Sequence, residues 1–307
     1  MSGAVRTVLG DLDPAELGVC DAHDHLFLRS PQLPGQELDD PRAAAAELAE
    51  FHAAGGRAVV QWTPYGMARG ADHLAELSRR SGIHLVAATG LHRAAHYDRL
   101  VPAELYDGLA ELFTAELTAG IRGDGPRAGL IKVAGGYHGL DEHARIVMAA
   151  AAEAHHATGA PIGVHHELGT GALDVLELLC GRLGVPPQSV VLGHLNRFPD
   201  PRVHRELAEA GAYLAFDGPS TANHATDWRL LDVMIALVEA GHGDRLLLGG
   251  DTTTAAARHA SGGGPGMPFL LTGLRPRIIR ELGAEQAELI FRGNPARAFA
   301  AHWGPSR

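Results

Sequence analysis

The residues of this chain that could do chemistry fall at a few recognisable places. His23 and His25 flank Asp24 in a short extended run, and side chains at i and i+2 of a strand project to one side. Both imidazoles can therefore reach one ion, with Asp24 turned away, and imidazole suits zinc and similar divalent metals. Lys132 sits in the apolar run Gly129-Leu-Ile-Lys132-Val-Ala. A lysine buried there is costly to keep charged, so its amine is expected to be free. A free amine can add CO₂ and become a carbamate, an anion with two oxygens that could bridge two cations. A lysine that reaches out to solvent is the competing reading. His165 and His166 are adjacent and must face opposite sides of a strand, and periodicity does not choose between them. His194 ends Val190-Val-Leu-Gly-His194, and Asp251 ends Leu246-Leu-Leu-Gly-Gly-Asp251. That aspartate could cap a following helix, or bind metal and accept a proton.

Positioning these groups requires strands that end where they stand. Short apolar, often β-branched runs predict strands at 19–24, 58–63, 84–89, 129–134, 161–165, 190–194, 213–217 and 246–251. Between them lie amphipathic stretches with helix punctuation. Asp40-Pro41 opens one that stops at Gly55-Gly56, residues 140–158 form another before Gly159, and residues 230–240 a third before Gly241. Residues 261–266 are Gly-rich and predict a loop. Alternating strands and helices imply parallel pairing, and eight such units predict one (β/α)₈ TIM barrel domain spanning 1–307, with an open doubly wound sheet as the competitor. Barrel enzymes carry their chemistry at the C-terminal strand ends, where the candidate residues stand.

Composition narrows the functional classes. A chain of 307 residues with 46% hydrophobic and 20% charged residues is globular. The formal net charge of -10 argues against nucleic acid as the main partner. Nineteen histidines raise the expectation of metal and also make one His-x-His match weak by itself. Cys20 and Cys180 are too few for a zinc ribbon or a disulfide framework. No basic start followed by an apolar segment and no membrane-length apolar run is visible, so a cytoplasmic location is expected, with a small-molecule substrate and no membrane partner.

Together these motifs resemble the phosphotriesterase family of the amidohydrolase superfamily. The resemblance runs nearly end to end: Thr7-Val-Leu-Gly10, Leu17-Gly18, His23-Asp24-His25-Leu26, Ile131-Lys132-Val133, Pro161-Ile-Gly-Val-His165, Gly193-His194, Leu248-Gly-Gly-Asp251 and Asn294-Pro-Ala-Arg-Ala-Phe299. It implies a binuclear site in which His23, His25 and Asp251 hold the more buried ion and His165 and His194 the other. Lys132, as its CO₂-derived carbamate, bridges them. The family pattern selects His165 over His166. Zinc is the default metal, and manganese, cobalt or iron could take the same positions. The expected nucleophile is a hydroxide shared by the ions, with Lys132 and Asp251 as the catalytic side chains and Asp251 accepting a proton. The resemblance also implies a homodimer.

The bond cut is less legible. Phosphotriester-cleaving members carry a His after the Asp that ends strand seven and an Asp two residues beyond the strand-six His. This chain has Gly218 after Asp217, and Asn196 after His194. A lactone or carboxylic ester is therefore favoured over a phosphotriester, with an amide as a further alternative. Tyr65, His92, Tyr97 and Arg258 are candidate substrate contacts on strand-end loops, with Arg93, His96, Asn223, His224 and His259 nearby in sequence. A cationic residue among them would suit an anionic substrate such as a phosphorylated sugar lactone. A mononuclear deaminase and a non-catalytic metal-containing binding protein are the alternatives from other classes.

Overall fold

A computed structural model describes residues 3–97, 103–220 and 224–304. Eight parallel strands run in sequence order around a nearly closed TIM barrel: β1 (Cys20–Asp24), β2 (Ala58–Gln61), β3 (His84–Thr89), β4 (Leu130–Gly135), β5 (Ile162–His166), β6 (Val190–Leu192), β7 (Tyr213–Asp217) and β8 (Leu246–Gly249). The strands alternate, except where the register of β1 against β2 shifts between Asp21 and Asp24. Ala22, Val60, Val86, Leu130, Val191, Ala215 and Leu247 point into the barrel, whereas Val59, Leu85, Ile131, Val164, Leu214 and Leu248 pack outward under the helices. Both faces are buried, which is why the strands read as continuous apolar runs. A small antiparallel sheet of Ala4–Thr7, Gly10–Leu12 and Ala300–Ala301 lies at the chain ends, and Val5, Leu17 and Phe299 extend the interior cluster there.

The helices begin where the punctuation predicts. α1 (Pro41–Ala53) is capped by Asp40, whose carboxylate accepts from the Arg42 N–H at 2.7 Å. The helix Glu142–Thr158 starts at the Asp141 cap, two residues later than expected, because Asp141 captures the Ala144 N–H at 2.8 Å. The Gly-rich segment 261–266 differs more. Its first two residues close a one-turn helix, His259–Gly262. Buried Glu47 of α1 holds this turn, accepting from the N–H groups of Ala260 and Met267, both at 2.9 Å. No local signal in 261–266 reports a partner more than two hundred residues away.

One seam and one interior ring set the geometry of the mouth. Between β8 and β1 the Asp251 N–H donates to the His23 carbonyl at 3.0 Å, and a Cβ on Gly249 would stand 2.4 Å from that same oxygen. Glycine there is what lets the barrel close. Asp21 and Asp24 tie the seam further, accepting from the backbone N–H groups of Gly250 at 3.1 Å and Thr252 at 2.9 Å. Inside, Trp62 fills the barrel below the mouth and donates to the Ala22 carbonyl at 2.9 Å. Gly163 and Gly193 leave it room, since a Cβ at either would approach the indole to 3.0 or 3.2 Å.

Candidate functional site

His23 stands on the Trp62 indole, ring centroids 4.0 Å apart. From this base the imidazoles form a connected set, with His23 4.7 Å from His194, His194 4.5 Å from His165, and His23 5.5 Å from His25. Asp251 Oδ1 lies 3.5 Å from both His23 Nε2 and His25 Nε2. Thr63 orients His25, its hydroxyl 2.7 Å from Nδ1. His194 and Asp251 lie beyond the ends of β6 and β8, with φ of 64° and 48°. Left-handed backbone is unusual for such residues, and strain of this kind collects where a site over-determines the chain. The adjacent pair resolves by position. His165 lines the cavity, and His166 is fully buried, with Nδ1 3.2 Å from the Gly193 carbonyl.

Three charged residues join the expected set. Asp217, at the end of β7, places Oδ2 2.7 Å from His194 Nδ1 and Oδ1 3.5 Å from His23 Nδ1. Arg197 reaches in between the aspartates, with Nε 3.0 Å from Asp217 Oδ2 and Nη2 bonded to Asp251. Glu167 sits between His165 Nε2 at 3.2 Å and Arg93 Nη1 at 2.5 Å. Asp217 could have been found by the signal that selected Asp251, an acid ending an apolar run. Arg197 lies in a polar turn with no such signal.

Burial governs protonation here. It pushes Lys132 down to about 7 against the opposing pull of Asp251. It pushes His25 to about 4 and His165 to about 3, with Asp251 and Glu167 respectively pulling each back up. These rings are therefore neutral near pH 7 and offer lone pairs. Burial would raise the Asp251 carboxyl, but Arg197 and His194 outweigh it and hold it far below the usual range. Hydrogen bonding from His165 lowers Glu167 to about 2, against its partial burial and with help from Arg93.

The donors fit divalent metal. His23, His25 and Asp251 bring one ligand atom each within 4.8 Å of one another, and so do His23, His194 and Asp217. Both His23 ring nitrogens and Asp217 Oδ1 are buried without a hydrogen-bond partner among the described residues. Buried lone pairs in this state fit a cation as their partner.

Above the ligands opens a cavity of about 510 Å³. His92, Arg93, His96, Glu167 and Arg197 make its polar wall, and Leu28, Leu33, Pro64, Met67 and Leu168 its apolar one. Of the four candidate substrate contacts, only His92 is on this wall. Tyr65 offers its backbone carbonyl to the Tyr97 hydroxyl at 3.1 Å, and that hydroxyl accepts from the His92 N–H at 2.8 Å. Both tyrosines thus stand behind the loop that carries His92. Arg258 is buried beside a separate groove lined by Glu37, Asp40 and Ser261, and it donates to the Leu26 carbonyl. His224 is exposed, His259 is exposed and paired with Glu50, and Asn223 lies outside the described residues.

Comparison with known proteins agrees with this geometry. A family model described as the phosphotriesterase family matches residues 3–299. A protein named phospho-furanose lactonase from Mycoplasmopsis agalactiae is 33% identical over 251 residues, covering 74% of this chain and 70% of its own. The crystal structure of a lactonase from Listeria monocytogenes superposes with a TM-score of 0.91 at 28% identity, covering 96% of this chain and 98% of that one. That of a phosphotriesterase homology protein from Escherichia coli, with phosphate in its active site, gives 0.85 at 27% identity over 92% and 99%. With the family match spanning nearly the whole chain and the ligand cluster at the barrel mouth, this protein belongs to the phosphotriesterase family and is a metal-dependent hydrolase.

Proposed function

We propose that the protein hydrolyses a lactone, or a carboxylic ester of similar size, that carries an anionic group. His23, His25, Lys132, His165, His194 and Asp251 would hold two divalent ions, zinc first among them, with Asp217 close behind His23 and His194. Ions at this place would polarise the substrate carbonyl and make water a stronger nucleophile near neutral pH. The residues of the chain do the rest. Lys132, with its amine close to 7, is free to add CO₂, forming an N–C bond and releasing a proton, and the carbamate so formed carries one negative charge. Asp251 would take up a proton from the attacking water and pass it to the leaving alkoxide as the acyl C–O bond breaks, with Arg197 releasing one carboxylate oxygen for it.

The observation that carries the substrate class is the Arg93–Glu167–Arg197 wall. Arg93 is paired with Glu167, and Arg197 with Asp217 and Asp251, so an anionic group would be held by guanidinium N–H donors on the wall together with ions that neutralise the carboxylates. Arginine presents a planar fork matched to phosphate or carboxylate. Relatives named for lactones support the ester class, and the phosphate in the E. coli relative supports the anion. Gly218 after Asp217 and Asn196 after His194 stand where phosphotriester-cleaving members are expected to carry a proton relay.

The test combines metal content with turnover. Protein purified with zinc and bicarbonate should hold about two ions per chain and hydrolyse phosphorylated five- and six-membered lactones faster than their neutral counterparts, simple esters or phosphotriesters. One ion per chain would favour the mononuclear alternative. Two ions with no ester or lactone turnover would end the lactonase reading.

A further inference from the structure

The loop after β3 holds one residue by every hydrogen-bonding atom of its backbone. The His92 N–H donates to the Tyr97 hydroxyl at 2.8 Å. Its carbonyl lies 2.7 Å from His143 Nε2, which must donate, since a carbonyl can only accept. His143 Nδ1 is then a bare acceptor, and the Tyr106 hydroxyl, 2.7 Å away, donates to it. These anchors come from different elements: Tyr97 from the same loop, Tyr106 from the helix Ala103–Asp107 and His143 from the helix Glu142–Thr158.

The ring is fixed as well. His92 Nδ1 accepts from the Arg93 N–H at 2.7 Å, so Nδ1 carries no proton and the neutral imidazole must bear it on Nε2. The ring packs between His96, centroids 4.1 Å apart, and His165, 4.6 Å apart. It therefore forms part of the cavity wall beside a candidate metal ligand. The polar wall also carries His96, whose Nδ1 lies 3.0 Å from the Ser30 hydroxyl, and the charges of Arg93, Glu167 and Arg197.

We propose that His92 is a substrate contact of the neutral kind: a tautomer-locked Nε2–H that donates a hydrogen bond to an ester or hydroxyl oxygen of the bound substrate, next to the scissile bond. Tyr97, His143 and Tyr106 are positioning residues for this donor. The proposal rests on the hydrolase reading of the same cavity, and on the lactone class only through the choice of assay substrate. A fixed neutral donor rewards an oxygen acceptor at one point without adding charge. It thus selects among substrates that the arginines alone would treat alike.

The test uses the metal-loaded protein. Nitrogen-15 NMR of the imidazoles should show His92 as the Nε2–H tautomer at neutral pH; an Nδ1–H or doubly protonated ring would overturn the proposal whether or not any lactone is a substrate. In kinetics with the best substrate of the ester and lactone panel, His92→Phe should lower kcat/KM about 10- to 100-fold at unchanged metal content. His92→Gln, whose amide can place an N–H near Nε2, should recover activity to within about threefold of wild type. Tyr106→Phe, acting only through His143, should cost about threefold and leave metal content alone. Equal impairment of the Phe and Gln variants, or loss of metal in the Gln variant, would mean that His92 packs or ligates instead of donating, and the proposal would fall.

Discussion

Arg197 sets the charge balance of the two aspartates at the site. Asp217 and Asp251 are both buried, and Arg197 is the cation that touches both. Buried carboxylates that lose their counter-ion cost about 3–5 kcal/mol, because the remaining charge has no solvent. Arg197→Ala should therefore lower the melting temperature of chelator-treated protein strongly, and zinc should restore most of it by neutralising the same carboxylates. Thermal denaturation with and without metal measures this. An equal loss in the two states would mean that Arg197 supports the loop and not the charge balance.

At the level of elements, closure between β8 and β1 decides where the candidate ligands His23 and Asp251 stand. The two strands meet at Gly249 and His23 without room for a methyl group. Gly249→Ala would force its Cβ against the backbone of a ligand residue, and overpacking against backbone costs about 1–3 kcal/mol or more. The expected result is a less stable protein that also binds zinc at least tenfold more weakly, since His23 and Asp251 both move with the seam. Chelator competition reads the affinity. Unchanged affinity in a destabilised variant would show that the seam and the ligands are uncoupled.

Across the whole molecule, buried neutral histidines make stability depend on pH. Burial, the largest cause in each case, pushes His25, His96, His166 and His204 down to about 4. Unfolded, each would titrate near 6.5. Between these values the unfolded chain binds more protons than the folded one, so stability is full above about pH 6.5 and falls as pH drops toward 4. The metal-free protein should lose on the order of 10 °C in melting temperature from pH 7 to pH 5. A flat profile over that interval would mean that these rings are protonated in the fold. Among the described residues no helix is long and apolar enough to cross a membrane.

Much of this protein is written locally in its chain. The strand runs, the Asp40-Pro41 start and the places of His23, Lys132, His165 and Asp251 in or just after those runs depend on period and on residue type, which are properties of neighbours in sequence. The family followed because those motifs kept their order over the whole chain, as the match to residues 3–299 shows. Other features needed the barrel to close. Periodicity alone could not separate His165 from His166, since both end the same strand and only the curvature of the sheet sets which face is the mouth. Asp217 and Arg197 entered the site because β6, β7 and β8 bring residues 197, 217 and 251 together, a meeting no local pattern encodes. For the same reason Tyr65, Tyr97 and Arg258, plausible as loop residues, stand off the cavity wall. A side chain's type is set by the sequence, and which groups share its surroundings is decided by packing between segments far apart along the chain.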